Sequence, residues 1–323
     1  MGKAESMKII AIQGDKLEAL NLKGDSSLYI ASMMQHRNYQ IFWYEPKNLY
    51  YADGNIAAIG KYISVEFDGN NLQYTIFSSD IELNLATVNC IMIRQDPPVD
   101  MHYITSSHLL SILSFINPKI FFINHPDVII QYGEKFLPLI VCPERVPNTV
   151  ITSNFNQINE FIKQHGKSVI KPIYGYGGHD VMLVEKHEVE TMNSQLNKSG
   201  SIQLIVQEFL PEIYNGDKRV VVYDGQILGA LGRVPEDGNF LTNTCAGGVI
   251  QAIELSDNES LICLEIAAKL DKLGIFLSGI DMIGQYITEI NITSPGLIIS
   301  LHKLYGKEIM EDFFTLIDKK STH

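Results

Sequence analysis

Short β-branched apolar runs alternate with a helical pattern in the first third of the chain, and this alternation constrains the fold more than any other feature. Lys8 to Gln13 and Tyr39 to Tyr44 read as strands on either side of a helix over Ser26 to Gln35. A βαβ unit of this kind requires parallel strands with helices laid on the sheet faces. Leu49 to Ala58 carries Asp53-Gly54 between strand-like flanks and predicts a hairpin. Val88 to Arg94 is a further apolar strand, running into Arg94-Gln95-Asp96-Pro97-Pro98. Ligands of open α/β sheets bind beyond the carboxyl ends of strands, which places Arg94 to meet an anion; the competing reading is a solvated arginine in a proline-rich loop. The apolar helix Ser107 to Ile116 fits either an interface or the core. Met7 to Ile12 opens the first strand, so residues 1–6 read as an added or alternative start.

From Ile151 the pattern changes to an α+β unit. It comprises a helix over Phe155 to Gln164, strands over Ser168 to Lys171 and Val181 to Val184, a helix, and a strand over Gln203 to Gln207. Strands over Lys218 to Tyr223 and Gln226 to Arg233, a helix over Glu259 to Leu273 and a hairpin over Ser278 to Ile292 complete the chain.

The 323 residues carry 37 acidic and 25 basic side chains, a formal charge of −12, which disfavours a general nucleic-acid backbone binder. Cys90, Cys142, Cys245 and Cys263 are far apart with no C-x-x-C pair, so they predict reduced thiols rather than a zinc site or disulfide framework. The start carries no secretory h-region, and no apolar run reaches the ~20 residues of a membrane helix. These features predict a cytoplasmic protein with no membrane partner. None of the nine histidines shows metal-ligand spacing.

Three segments carry chemistry. Lys171 ends a strand and is followed by Gly175, Gly177 and Gly178; such a loop lets backbone N–H groups approach nucleotide phosphates, although it fits neither the Walker A nor the dinucleotide pattern. Glu289 and Asn291 are two apart on one strand and so share a face. Asp281 joins them only if the hairpin loop has an odd number of residues, such as Gly284-Gln285-Tyr286; a two-residue turn would pair Asp281 with Thr288. Two carboxylates and an amide suit a hard cation such as Mg²⁺. Asp217, Lys218 and Arg219 enter another strand, Arg233 ends the next, and residues 234–248 read as a mobile loop able to close over substrate.

In their order along the chain these segments resemble the ATP-grasp ligases and, among them, the bacterial glutathione synthetases. The resemblance runs from Lys23-Gly24-Asp25-Ser26-Ser27 through Arg94-Gln95-Asp96, Glu134-Lys135, Gln207-Glu208-Phe209-Leu210 and Gly216-Asp217-Lys218-Arg219 to Thr288-Glu289-Ile290-Asn291-Ile292-Thr293-Ser294-Pro295. It implies an ATP-grasp fold, α/β with α+β, preceded by a Rossmann-like parallel-sheet domain. The implied divisions are residues 7–130, a lid unit 131–206 and a C-terminal unit 207–323.

The resemblance further implies that Lys135 and Lys171 contact ATP phosphates beside Gly175, Gly177 and Gly178. Gln207, Glu208, Phe209 and Leu210 would form the adenine hinge, with Asp217 and Arg219 near the nucleotide. Asp281, Glu289 and Asn291 would hold Mg²⁺ or Mn²⁺, and Arg233 and Asn243 would act at the reacting centre. Asp25, Ser26, Ser27, Arg94, Ser294 and Pro295 would meet substrate. The implied reaction joins γ-glutamylcysteine to glycine through an acyl phosphate, in a homo-oligomer, commonly a tetramer. Two positions depart from the family: Leu241 stands where an arginine is common, and Gly296 to Ser300 replaces a segment with an Arg-Glu pair. These departures keep open a ligase for another carboxylate and amine; a nucleotide-binding regulator without turnover is the third reading.

Overall fold

The computed structural model describes residues 8–185, 188, 200–236, 238–243 and 247–322. The expectations for residues 1–6, for most of a helix between Val184 and Gln203, for Cys245 and for part of the loop 234–248 lie outside the described residues.

Strands β1 (Lys8–Gln13), β2 (Tyr39–Tyr44), β7 (Cys90–Ile93) and β8 (Phe121–Ile123) run parallel in the order β2-β1-β7-β8. On the β2 edge, β3 (Leu49–Ala52), β4 (Asn55–Phe67), β5 (Leu72–Ile76) and β6 (Ile81–Asn84) add antiparallel hairpins. Helix α1 (Ser26–Gln35) buries Leu28, Ile30 and Met34 against Ile10, Ile12 and Trp43 on one face. Helix α2 (Met101–Ile116) buries Tyr103, Leu110 and Leu113 against Ala11 and Phe42 on the other. The sheet is therefore doubly wound, as the βαβ pattern requires. The Asp53-Gly54 turn forms as predicted, both residues with positive φ, 49° and 83°, closing Ala52 on Asn55. Helix α2 starts six residues before the predicted Ser107, because the Asp100 carboxylate accepts from the His102 and Tyr103 amides and caps a polar first turn that apolar patterning does not reveal.

Helices α3 (Pro126–Gln131) and α4 (Leu137–Val141) lead into a four-stranded antiparallel sheet of β9 (Thr149–Thr152), β10 (Ser168–Pro172), β11 (Met182–Val184) and β12 (Leu204–Glu208), covered by α5 (Phe155–His165). A third sheet, in the order β15-β14-β13-β16-β17, contains β13 (Asp217–Tyr223), β14 (Gln226–Val234), β15 (Val249–Ala252), β16 (Leu277–Ile283) and β17 (Tyr286–Asn291). Its apolar residues Val220, Ile280, Met282 and Ile290 pack on Ile262, Ile266 and Leu270 of α6 (Asp257–Lys272). Full burial of such side chains stabilises by about 1.5–3 kcal/mol each.

The chain then returns to its first domain. Phe313, Phe314 and Ile317 of α8 (Glu311–Lys320), which follows α7 (Ile298–Tyr305), share a core with α1. The Asn124 amide bridges both units, donating to the Leu277 and Ile292 carbonyls at 2.7 Å and accepting from the Leu277 amide at 2.8 Å. Cys90, Cys142 and Cys263 are buried free thiols, and no described helix is long and apolar enough to cross a membrane.

Candidate active site

The β16–β17 hairpin corrects the expected loop length. Its turn has two residues, Gly284 and Gln285, closing Ile283 on Tyr286, where an odd-length loop was predicted. The odd residue lies instead within β17: Met282 pairs with Ile287 but Asp281 pairs with Glu289, leaving Thr288 as a bulge. One extra residue reverses the side-chain alternation, so Asp281 and Glu289 stand opposite each other on one face despite the short turn. Asn291 joins them, its amide 3.2 Å from Asp281 Oδ2.

Across the same sheet runs a chain of buried ion pairs. Arg219 stands opposite Asp281 and holds it in a bidentate pair, with Nη2–Oδ2 at 2.9 Å. Arg233 stands opposite Asp217, pairs with it through Nε at 2.9 Å, and reaches Asp281 Oδ1 at 3.1 Å. Gly279 makes room for this arrangement, because a Cβ there would meet Arg219 Cδ at 2.9 Å. Burial alone would raise the Asp281 pKa, but Arg219 and Arg233 outweigh it and hold the carboxyl at about 2. Burial would likewise lower Arg233, and Asp281 and Asp217 reverse the sign.

The second sheet supplies cations. Lys171 on β10 donates to Gln207 Oε1 on β12 at 2.8 Å, and Gln207 Nε2 donates to Thr149 Oγ1 at 3.0 Å. Burial lowers the Lys171 pKa, with the nearby Glu289 opposing. Lys135, ahead of α4, pairs with Glu289 at 3.0 Å and donates to the Gly175 carbonyl. Gly177 and Gly178 take φ of +60° and +81°, and a Cβ on Gly178 would lie 3.1 Å from Asn243 Oδ1, so the glycine loop rests against residues 241–243.

Most of the predicted site therefore converges on one cleft. The cleft gathers Lys135, Lys171, the three loop glycines, Gln207 to Leu210, Asp217, Arg233, Asn243, Asp281 and Glu289. Arg219 lies behind Asp281, and Asn291 beside it. The remaining six residues gather elsewhere, at the seam between the first and last parts of the chain. Arg94 is 5% exposed and donates to Ser27 Oγ at 2.9 Å and to the Pro295 carbonyl at 3.1 Å, so those two donors are spent on the protein, not left open to solvent. Ser294 Oγ donates to the Arg94 carbonyl, Ser26 Oγ accepts from Ile298, and Asp25 caps α1.

Sequence reasoning missed Glu134 as a site residue. It accepts from the Ile292 and Thr293 amides and from Thr293 Oγ1, tying the Lys135 segment to the end of β17. Burial, then Glu289, raises its pKa. Its adjacency to Lys135 was the available signal. Phe240, Leu241 and Thr288 also line the cleft. Among the described residues no three His, Cys, Asp or Glu side chains form a metal cluster; the hairpin donor set is two carboxylates and an amide.

Two antiparallel sheets holding a cleft between them, one offering lysines and a glycine loop and the other carboxylates, define an ATP-grasp ligase. The fold is shared with D-cycloserine synthetase DcsG, at a TM-score of 0.66 and 13% identity over 97% of this chain and 99% of that one. The profile of the prokaryotic glutathione synthetase N-terminal domain matches residues 7–129, and that of its ATP-grasp domain matches residues 134–306. The chain is 35% identical to glutathione synthetase of Agrobacterium fabrum over 97% of each chain. It is 33% identical to that of Mesorhizobium japonicum over 96% of this chain and 98% of the relative. The chain belongs to the prokaryotic glutathione synthetase family and is an ATP-dependent ligase.

Proposed function

We propose that this ligase joins γ-glutamylcysteine to glycine, forming glutathione, ADP and phosphate through an acyl phosphate. The observation that carries the reading is the single cleft in which Asp281 and Glu289 of one sheet face Lys135 and Lys171 of the neighbouring units. A carboxylate resists amine attack because oxide is a poor leaving group; phosphorylation replaces it with phosphate, which the glycine amine displaces. Lys135 and Lys171 offset the phosphate charge, and Arg233, fixed by Asp217 and Asp281, stabilises the charge developing on the transferred phosphoryl group. The glycine loop and residues 241–243 exclude water, protecting the acyl phosphate from hydrolysis.

Asp281, Glu289 and Asn291 gather on one face, and two carboxylates with an amide fit Mg²⁺ or Mn²⁺ by donor chemistry; Asp281 is held by Arg219 and Arg233 and Glu289 by Lys135, so an ion there would compete with those pairs. When bound there, the cation neutralises and aligns phosphate oxygens. The backbone of Gln207 to Leu210 edges the cleft where the adenine would lie. We assign residues 7–130, 131–206 and 207–323 as the substrate, lid and metal-bearing units of a cytoplasmic homo-oligomer. Phosphate release by the purified protein should require ATP, Mg²⁺, γ-glutamylcysteine and glycine together. Absence of stimulation by the dipeptide overturns the substrate assignment, and a panel of other carboxylate–amine pairs then identifies the true one, a reading that the apolar Leu241 in the cleft wall favours.

A further inference from the structure

The two lysines of the cleft are held in different ways. Lys135 pairs with the Glu289 carboxylate at 3.0 Å. Lys171 is half-buried and has no carboxylate partner among the described residues. Its ammonium donates to the Gln207 amide oxygen at 2.8 Å, while Glu289, Asp281 and Asp217 reach it only through space, opposed by Lys135. A neutral acceptor orients the ammonium without cancelling its charge. The lysine stem is flexible and its three donors rotate, so a fixed acceptor is what gives the charge a direction.

Gln207 is itself fixed from the next strand. It stands opposite Thr149 of β9, and Lys171 of β10 stands opposite Ile205, two residues before Gln207 on β12, so the three side chains form one row on one face of the sheet. Gln207 Nε2 donates to Thr149 Oγ1 at 3.0 Å, and Thr149 Oγ1 donates to the Pro147 carbonyl at 2.6 Å. The two ends of this chain dictate its direction. The Pro147 carbonyl only accepts, which commits the Thr149 proton; the Lys171 ammonium only donates, which commits the Gln207 oxygen. Gln207 is buried, and a flipped amide would set donor against donor at Lys171. Pro147, Lys171 and Gln207 line the nucleotide cleft, whereas Thr149 stands behind that lining.

We propose that Thr149 is a positioning residue for phosphate binding: it locks the Gln207 amide with its oxygen on Lys171, so that a neutral acceptor aims the ammonium and leaves its charge for the nucleotide phosphates. This rests on the reading of Lys171 as a phosphate-binding group and adds the device that presents it. The effect is preorganisation, since a charge aimed before the nucleotide arrives needs no rearrangement when it binds. An amide suits position 207 where a carboxylate does not: Gln207→Glu keeps an oxygen on the ammonium but sets a negative charge against it, which offsets the field the phosphates meet.

The test measures nucleotide binding to the full chain with Mg²⁺ present: ATP and ADP by calorimetry, and adenosine, which carries no phosphate, by displacement of ADP. Lys171→Met and Thr149→Val should each weaken ATP about tenfold, the order of a lost charge-assisted contact, and leave adenosine unchanged. Thr149→Ser, which restores the hydroxyl, should return ATP affinity to near the wild-type value. In a Lys171→Met background Thr149→Val should have no further effect, because a residue acting through the lysine has nothing left to position. Gln207→Glu, nearly isosteric, should weaken ATP more than adenosine, and it decides the matter if Thr149→Val does not fold. Equal loss of ATP and adenosine in Thr149→Val, the same loss with and without Lys171, or undiminished ATP affinity in Gln207→Glu overturns the inference. Unchanged ATP affinity in Lys171→Met overturns it together with the assignment of Lys171 to the phosphates. Since every readout is binding of a nucleotide, failure of γ-glutamylcysteine to be turned over sinks the substrate reading alone and leaves this result standing.

Discussion

Asp281 concentrates the electrostatics of the site, because both Arg219 and Arg233 terminate on it. Replacing it with Asn leaves two buried guanidiniums short of a partner, and breaking a buried pair in this way costs about 3–5 kcal/mol. Asp281→Asn should therefore lower the stability measured by urea titration by that order, while also abolishing ligation. The sign of its pH dependence follows from the same pairs. The folded carboxyl titrates at about 2, below its ordinary 3.8, so the unfolded chain binds more protons between those values. The stability this residue contributes is fully present above 3.8 and is lost as pH falls through about 2. Acid titration of Asp281→Asn should show a flatter limb in that window; an unchanged limb would contradict the assignment. At this scale the sequence was informative about which residues matter but not about what they touch. Asp217 and Arg219 were expected near the nucleotide, and their side chains hold Arg233 and Asp281. Cross-strand pairing sets such partners, and spacing along one strand does not report it.

At the scale of elements, the alignment of Asp281 with Glu289 in the β16–β17 hairpin is set by a bulge. A carboxylate pair facing one cleft was legible from Glu289, Asn291 and the apolar alternates Ile280, Met282 and Ile290, all of which lie where the alternation places them. The device that aligns Asp281 was not, since turn residues and a bulge can each absorb one position and local sequence does not say which. Deleting Thr288 removes the one unpaired residue and should give a regular hairpin in which Asp281 still stands opposite Glu289 and Asn291 keeps its face. The expected outcome is retained Mn²⁺ binding by titration; its loss would show that the bulge itself, and not only the register it sets, is needed. The glycine loop makes a parallel prediction. Gly178→Ala imposes a side chain at φ +81° and crowds Asn243, so kcat should fall at least tenfold with thermal midpoint nearly unchanged.

For the whole molecule, the doubly wound sheet and its helices were legible because period-two and period-3.6 patterns are local. The juxtaposition of Lys135, Lys171 and the last sheet required three units to come together, which the order of motifs anticipated by resemblance and no local pattern could. The seam formed by Asn124, Arg94 and Ser294 fixes the first domain against the last sheet. The account stands on phosphoryl transfer to that carboxylate, and isotope transfer reports it directly. With the reacting carboxylate of γ-glutamylcysteine labelled with ¹⁸O, the account predicts one ¹⁸O in the inorganic phosphate released for each glutathione formed. Unlabelled phosphate accompanying glutathione would contradict it.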